Sequence, residues 1–284
     1  MKWTEEAEAA IGKVPFFVRK KVRARVEKEA AAAGRKVVTF EAVQETQRRY
    51  LSGMKSEIRG YQIDSCFGPS GCPNRAAVGD RLLSRIEEQL RAADLLTFLR
   101  DRVGDDLKFH HEFRVSLADC PNACSQPQIK DIGILGACVP NVTGAECSDC
   151  GLCVEACRDG AIGMEGERPS FDVCRCMACG KCADVCPTGT LMRGATGYRV
   201  QLGGKLGRHP RLARPLPGIY AEDTVLSIVG DCITFYKKNS RKGERFAEIC
   251  TDAFIESMAR RYRGKALAGF HGEPPRQVGG GQER

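Results

Sequence analysis

Two cysteine runs carry the chemistry of this chain: Cys147-x2-Cys150-x2-Cys153-x3-Cys157, and Cys176-x2-Cys179-x2-Cys182-x3-Cys186-Pro187. Each run supplies three thiolates from one tight loop and sends its fourth to the other cluster, a pattern suited to two cubane iron–sulfur cores. On that pattern Cys147, Cys150, Cys153 and Cys186 hold one [4Fe-4S] cluster, and Cys157, Cys176, Cys179 and Cys182 hold the second. Such cores move electrons. A tetrahedral zinc site needs two CxxC pairs and has no use for a third thiolate two residues on, so the doubled triplet disfavours zinc. A disulfide framework is disfavoured too, because the chain begins MKWTEEAEAA with no apolar signal region and 284 residues do not need staples.

The doubled run resembles a bacterial two-cluster ferredoxin. It departs from that pattern at Arg158, which follows Cys157 where proline is usual, so the turn there is less well determined. Outside the runs, two further pairs stand out, Cys66-x5-Cys72 and Cys120-x3-Cys124. The first lies in a loop marked by Gly68, Pro69, Gly71 and Pro73, able to wrap an inorganic core. The second follows an alternating stretch, Phe109 to Leu117, that reads as a strand. Between the pairs, Val78, Leu82, Leu83, Ile86, Leu90, Leu95 and Phe98 recur at helical spacing, so a long helix or a helical pair returns the chain. Taken alone, these four thiols would equally suit ordinary buried cysteines or a zinc site.

CxxxxxC, a helical segment and CPNxC running into DIGIxG together resemble the iron–sulfur and sirohaem signature of nitrite and sulfite reductases. The resemblance covers about residues 60–262, including the stretch from Gly197 to Pro210, and a ferredoxin inserted after CPNxC is the layout of the family's anaerobic and dissimilatory branches. It implies an α+β fold: a nitrite/sulfite reductase 4Fe-4S-type domain with an inserted two-cluster ferredoxin. It also implies a third [4Fe-4S] cluster on Cys66, Cys72, Cys120 and Cys124, with Cys124 bridging to the iron of sirohaem if that group is bound. Sirohaem carries many carboxylates, and Lys205, Arg208, Arg211 and Arg214 would partly cradle them. Lys205, Arg208 and Arg211 are also the candidate catalytic residues, placed to attract an oxyanion such as sulfite or nitrite; the bland alternative is a solvated basic loop.

The first fifty residues resemble the small C-terminal domain found in one of the subunits of light-independent protochlorophyllide reductase, on Trp3 to Ala7 and Val14 to Arg23. Thr4 caps a first helix, Pro15 begins a second, Gly34 ends it, and Thr39 caps a third that runs toward Gly53. On the second helix Val18, Val22 and Val26 form an apolar stripe, and Lys20, Lys21, Arg23, Arg25 and Lys28 make the rest basic. This face is either solvated or a docking surface for an acidic partner or tetrapyrrole carboxylates.

The expected organisation is a helical module over 1–53, a split domain over 58–145 and 190–262, a ferredoxin over 146–188 and a flexible tail over 269–284. Cys232 and Cys250 read as core packing within helical patterns, Cys138 as following an apolar strand, and Cys174 as a buried thiol beside the second run. The net charge of +8 suits an acidic redox partner or an anionic ligand, and nothing resembles a nucleic-acid-binding signature. Apolar stretches fall short of the roughly eighteen residues a membrane span requires, and sixteen cysteines without a secretory signal fit a reducing, anaerobic cytoplasm. Catalytically competent members of the family have two similar halves, so this chain reads either as a sulfite- or nitrite-reductase-like enzyme completed by an oligomer or separate subunit, or as an electron-transfer subunit without sirohaem.

Overall fold

The computed structural model describes residues 1–67 and 71–267, and for residues 51–56 and 105 the backbone alone. The expected flexible tail over 269–284 lies outside the described residues, as do Gly68 and Pro69. The chain divides into two compact units, Met1–Ile58 and the remainder from Arg59 on.

In the first unit a short strand β1 (Lys2–Trp3) pairs in parallel with β2 (Val37–Val38) beside three helices, α1 (Glu5–Gly12), α2 (Phe16–Ala32) and α3 (Phe40–Glu57). Thr4 and Thr39 cap α1 and α3, their hydroxyls accepting from Ala7 N and Ala42 N, and Pro15 stands immediately before α2. The third helix continues past Gly53 to Glu57. Ala7, Val26, Ala30, Val38 and Ala42 form the core, against which Trp3, Val22 and Val43 pack. Small residues allow the helices a close approach, and Trp3 is fixed by its indole N–H donating to Glu27 at 2.8 Å.

The second unit is built on a five-stranded sheet. Its strands are β3 (Tyr61–Ser65), β4 (Phe113–Ala118), β5 (Ile132–Val142), β8 (Leu191–Leu202) and β9 (Arg214–Pro215), in the order β3-β4-β5-β8-β9. The first three run parallel, and β8 and β9 are antiparallel to their neighbours. A parallel step from β3 to β4 needs a crossover. It is supplied by a helical pair, α4 (Asp80–Ala92) and α5 (Leu95–Val103). The strand expected from Phe109 begins at Phe113 instead. Phe109–His111 is a 3-10 turn, closed by His111 N donating to Lys108 O at 2.9 Å and by Lys108 N donating to His111 Nδ1 at 3.0 Å.

One sheet face is apolar and buried: Val115, Leu117, Ile132, Ile134, Val200 and Leu202 face Leu82, Ile86 and Leu90 of α4 and Val225, Ile228, Val229 and Cys232 of α8 (Glu222–Asn239). Full burial of each such side chain is worth about 1.5–3 kcal/mol, so this layer dominates the stability of the unit. Aromatic rings close one end, with Phe113 tilted against Tyr236 and edge-on to Phe246, both at centroid distances of 5.3 Å. Cys232 is a core residue, whereas Cys250 sits buried between two helices, α9 (Phe246–Ile249) and α10 (Asp252–Tyr262), where Thr251 restarts the chain as an N-cap. Cys138 does not follow the strand but lies within β5, fully buried. Cys174, expected to be buried, is exposed.

Antiparallel pairing of β5 with β8 runs nearly their whole length and ends at Val142 opposite Leu191. The intervening chain therefore leaves and returns at one point, tied by Thr143 N donating to Thr190 O at 2.8 Å and Thr143 Oγ1 donating to Gly189 O at 2.7 Å. It holds α6 (Leu152–Glu155), a two-stranded ribbon of β6 (Ile162–Glu165) and β7 (Arg168–Phe171), and α7 (Lys181–Asp184). The unit is thus α+β with a ferredoxin-like insert. Among the described residues no helix is long and apolar enough to cross a membrane.

Gly136 within β5 and Asp131 just before it both bind the strand to its surroundings. A Cβ on Gly136 would stand 2.3 Å from Asp119 O, a backbone atom that cannot swing aside. Gly136→Ala is expected to destabilise the unit by about 1–3 kcal/mol in urea unfolding. Asp131 is fully buried and accepts the backbone N–H groups of Arg114 at 2.8 Å and Ala247 at 3.1 Å. Burial pushes its carboxyl up to about 6, against the pull of Arg245 and those hydrogen bonds. Because the folded value lies above the unfolded one, this contribution is full below about pH 4 and is lost as pH rises through about 6. Unfolding free energy should fall by on the order of 3 kcal/mol across that window, and Asp131→Asn should flatten the slope.

Candidate iron–sulfur centres

The two cysteine runs fold alike. In each, the residue before the second cysteine and the glycine after it are left-handed: Asp149 at φ 50° and Gly151 at 71°, Ala178 at 55° and Gly180 at 75°. These turns let three thiols point into one space before a single helical turn, α6 or α7, begins. Cys147, Cys150, Cys153 and Cys186 wall one opening, with Met164, Pro169 and Leu191 around it. Cys157, Cys176, Cys179 and Cys182 wall another, with Ile162 and Phe171 beside them. The fourth thiol of each run does cross over. Arg158 does not spoil its turn, since Gly160 N donates to Cys157 O at 3.1 Å and Ala161 N to Cys157 Sγ at 3.2 Å.

Cys66, Cys72, Cys120 and Cys124 lie on adjoining segments: Asp119 N, next to Cys120, donates to Cys66 Sγ at 3.3 Å, and Asp119 O accepts from Ala76 N, four residues past Cys72, at 2.8 Å. Cys66 directly follows β3 and is held by its N–H donating to Leu117 O at 3.1 Å. Cys120 and Cys124 flank a turn with Ala123 at φ 57°, closed by Ala123 N donating to Cys120 O at 3.2 Å. Cys124 is exposed, the other three only partly so.

The donor set fits a polynuclear core. Backbone N–H groups point at sulfur from Asp119 to Cys66 at 3.3 Å, Ala178 to Cys176 at 3.4 Å and Leu191 to Cys186 at 3.3 Å, and Asn122 Nδ2 donates to Cys124 Sγ at 3.0 Å. Such donors stabilise negative charge on sulfur. Burial and crowding do the opposite: burial, then Cys179 and Cys176, push the Cys182 thiol up to about 12, and burial raises Cys120, Cys153 and Cys176 as well. Thiols gathered this way need a positively charged core to ionise together. Among the described residues, no three His, Cys, Asp or Glu side chains are arranged around a single metal ion, whereas the ferredoxin-like quartets surround openings.

The basic candidates are less uniform. Lys205 and Arg211 pair backbone to backbone across a loop, at 2.8 and 2.9 Å. The Arg211 guanidinium turns inward, donating to Gly203 O at 3.0 and 3.1 Å and also to Ala247 O, and Arg214 is ion-paired with Asp252. Arg208 is exposed and Lys205 half-buried.

A model for the nitrite and sulphite reductase 4Fe-4S domain matches residues 88–264, more than half of the chain. The chain belongs to that family. It is a sulfite-reductase-like iron–sulfur protein. A second model, for the proto-chlorophyllide reductase 57 kD subunit, matches residues 3–47. Among similar proteins, the coenzyme F420-dependent sulfite reductase of Methanocaldococcus jannaschii is 36% identical over 137 residues, covering 48% of this chain and 22% of that protein. One of the subunits of the anaerobic sulfite reductase of Salmonella typhimurium is 27% identical over 201 residues, covering 69% and 53%. The chain thus spans about a fifth of the first relative and about half of the second. A crystal structure of dissimilatory sulfite reductase I aligns with a TM-score of 0.49 and 16% identity, over 78% of this chain and 56% of that one.

Asp119, immediately before Cys120 in this reductase-family domain, is a site residue that sequence reasoning missed. Nearly fully buried, it accepts from Arg75 Nε at 2.6 Å and Gly79 N at 3.2 Å, while its carbonyl accepts from Ala76 N at 2.8 Å and Ala77 N at 3.1 Å. It therefore pins the loop carrying Cys72 to the strand end carrying Cys120. The available signal was an acid at the end of an apolar strand. Removing a charge-assisted bond of this kind costs about 1.5–3 kcal/mol, roughly tenfold or more in local opening. In chelator-stripped protein, Asp119→Ala should speed alkylation of Cys72 about tenfold by mass spectrometry while leaving Cys147 unchanged.

Proposed function

We propose that the chain is an iron–sulfur oxidoreductase that relays electrons through two ferredoxin clusters to a third [4Fe-4S] cluster, coupled there to sirohaem for reduction of sulfite or nitrite. Cys147, Cys150, Cys153 and Cys186 would hold the first cluster, and Cys157, Cys176, Cys179 and Cys182 the second. Cys66, Cys72, Cys120 and Cys124 would hold the third, with Cys124 as the bridge to sirohaem iron. The observation that supports this reading is that eight thiols wall two openings, four to each, and four more lie on adjoining segments of the same compact unit.

When bound, the clusters take up and release single electrons, and sirohaem supplies the site at which an oxyanion is reduced. The polypeptide fixes the order of the centres, buries them, and points N–H groups at their sulfurs. Of the four basic candidates, Arg211 and Arg214 are engaged by the protein itself, which leaves Lys205 and Arg208 to meet an oxyanion or a tetrapyrrole carboxylate. Arg199 joins them as a candidate: strand register puts it on the polar sheet face with Gln201, Ser116 and Arg114, where burial lowers its pKa beside Cys176. The Salmonella relative is one part of a multi-subunit reductase, which supports action within a complex. In the first unit a cavity of about 1160 Å³, lined by Val14, Val18, Val22 and Phe40 and edged by Lys21 and Arg25, suits docking of an acidic partner.

A second reading, an electron-transfer subunit without sirohaem, is favoured by one observation: two of the four basic residues expected to cradle the tetrapyrrole, Arg211 and Arg214, are engaged within the protein itself. Anaerobic isolation separates the readings. Three clusters give about 12 iron per chain, and sirohaem adds one more with a strong tetrapyrrole band. Loss of that band in Cys124→Ser supports the enzyme. Full clusters with no tetrapyrrole, even when sirohaem is supplied, support the relay alone, and a colourless, iron-free protein overturns both.

A further inference from the structure

The second ferredoxin site and the loop of the third site are joined by two cationic side chains. Lys181, between Cys179 and Cys182, donates from Nζ to Pro73 O at 3.1 Å, one residue beyond Cys72. Arg193, on β8, donates from Nη1 to Asp184 Oδ1 at 2.8 Å, and from Nη2 to Ala76 O at 2.6 Å and Arg75 O at 3.4 Å. Arg75 in turn grips Asp119, the neighbour of Cys120. Burial opposes the charge on Arg193, but Asp184, Cys138 and Cys179 outweigh it and hold its pKa above the ordinary value. The same strand pair brings Cys138 N to Ala178 O at 2.7 Å, so the junction is stiff.

We propose that Arg193, assisted by Lys181, is a positioning residue that locks the third-site loop to α7 and raises the reduction potential of the cluster held by Cys157, Cys176, Cys179 and Cys182. The inference rests on the relay reading and adds to it a residue that sets the step between two centres. A reduced cluster carries one more negative charge than an oxidised one, so a fixed cation nearby favours the reduced form. Electron transfer here is balanced: the donor cluster is oxidised by one electron and the acceptor reduced by one, with dithionite as the initial reductant in the test. Removing Arg193 takes away the positive charge and leaves Asp184 beside the cluster with only its longer ion pair to Lys181, at 3.6 Å, and it also releases the carbonyls of Arg75 and Ala76.

The test is a redox titration of anaerobically isolated holoprotein followed by electron paramagnetic resonance, with the signal of this cluster identified by its perturbation in Cys179→Ser. Arg193→Gln is expected to disfavour reduction of that cluster about tenfold, which is about 59 mV downward for a one-electron couple. It should also slow transfer to the third cluster by tenfold or more in stopped-flow mixing. Arg193→Lys should keep the potential close to that of the parent and slow transfer, because the charge remains and the fork does not. Lys181→Gln, which leaves the Arg193 contacts in place, should shift the potential in the same direction by a smaller factor. An unchanged potential in Arg193→Gln, or in Lys181→Gln if the first variant does not retain its clusters, overturns the assignment while leaving the relay reading intact. A parent protein with no reducible clusters overturns the relay reading and the assignment with it.

Discussion

The pairing of β5 with β8 is the constraint on which the second unit depends. These antiparallel neighbours form the middle of the sheet, and their apolar face carries the helical layer. Their far ends are the two points from which the ferredoxin-like insert hangs. Any insertion between adjacent antiparallel strand ends costs little, because its own ends are already in register and close together. Pro140 follows a shift in register after Cys138, as expected where a residue without an N–H must be accommodated in a ladder. The backbone of Cys138 forms an isolated parallel β-bridge with that of Cys179, so the strand pair continues directly into the loop of the second cysteine run.

Chemistry and folding pull against each other at the cysteine sites. Partial burial of many thiols in three tight groups disfavours their ionisation, yet ionised sulfur is what binds iron. N–H groups directed at sulfur offset part of this, and left-handed turns make those directions available. Ala123, Asp149 and Ala178 occupy such turns without being glycine, a modest strain tolerated where the sulfur positions require it.

What could be read from the chain was what is local along it. Cysteine spacing pointed to the thiols that line each of the two openings, Cys157 and Cys186 among them, because a tight loop is a property of neighbouring residues. Thr4, Pro15 and Thr39 marked their helices for the same reason. The start of β4 differs from the expected one because the alternation of Phe109 to Leu117 resembles a strand, while the turn at His111 is set by a histidine nitrogen bonding three residues back. Arg193 and Asp119 were not legible at all as site residues, since their partners lie 117 and 44 positions away and no spacing announces them. Arg211 shows the converse: its type and neighbourhood suggested an open cradle, and only the fold reveals the carbonyls that consume it.

Hanging the insert from two strands of a continuous sheet leaves it no hinge about which to swing. Under the proposed relay, traffic between the insert and the sheet-borne site would be a unimolecular property of each chain, indifferent to dilution and to the viscosity of the medium. Evolution could thereafter exchange the outside donor by altering surface residues alone, without re-tuning the internal wiring.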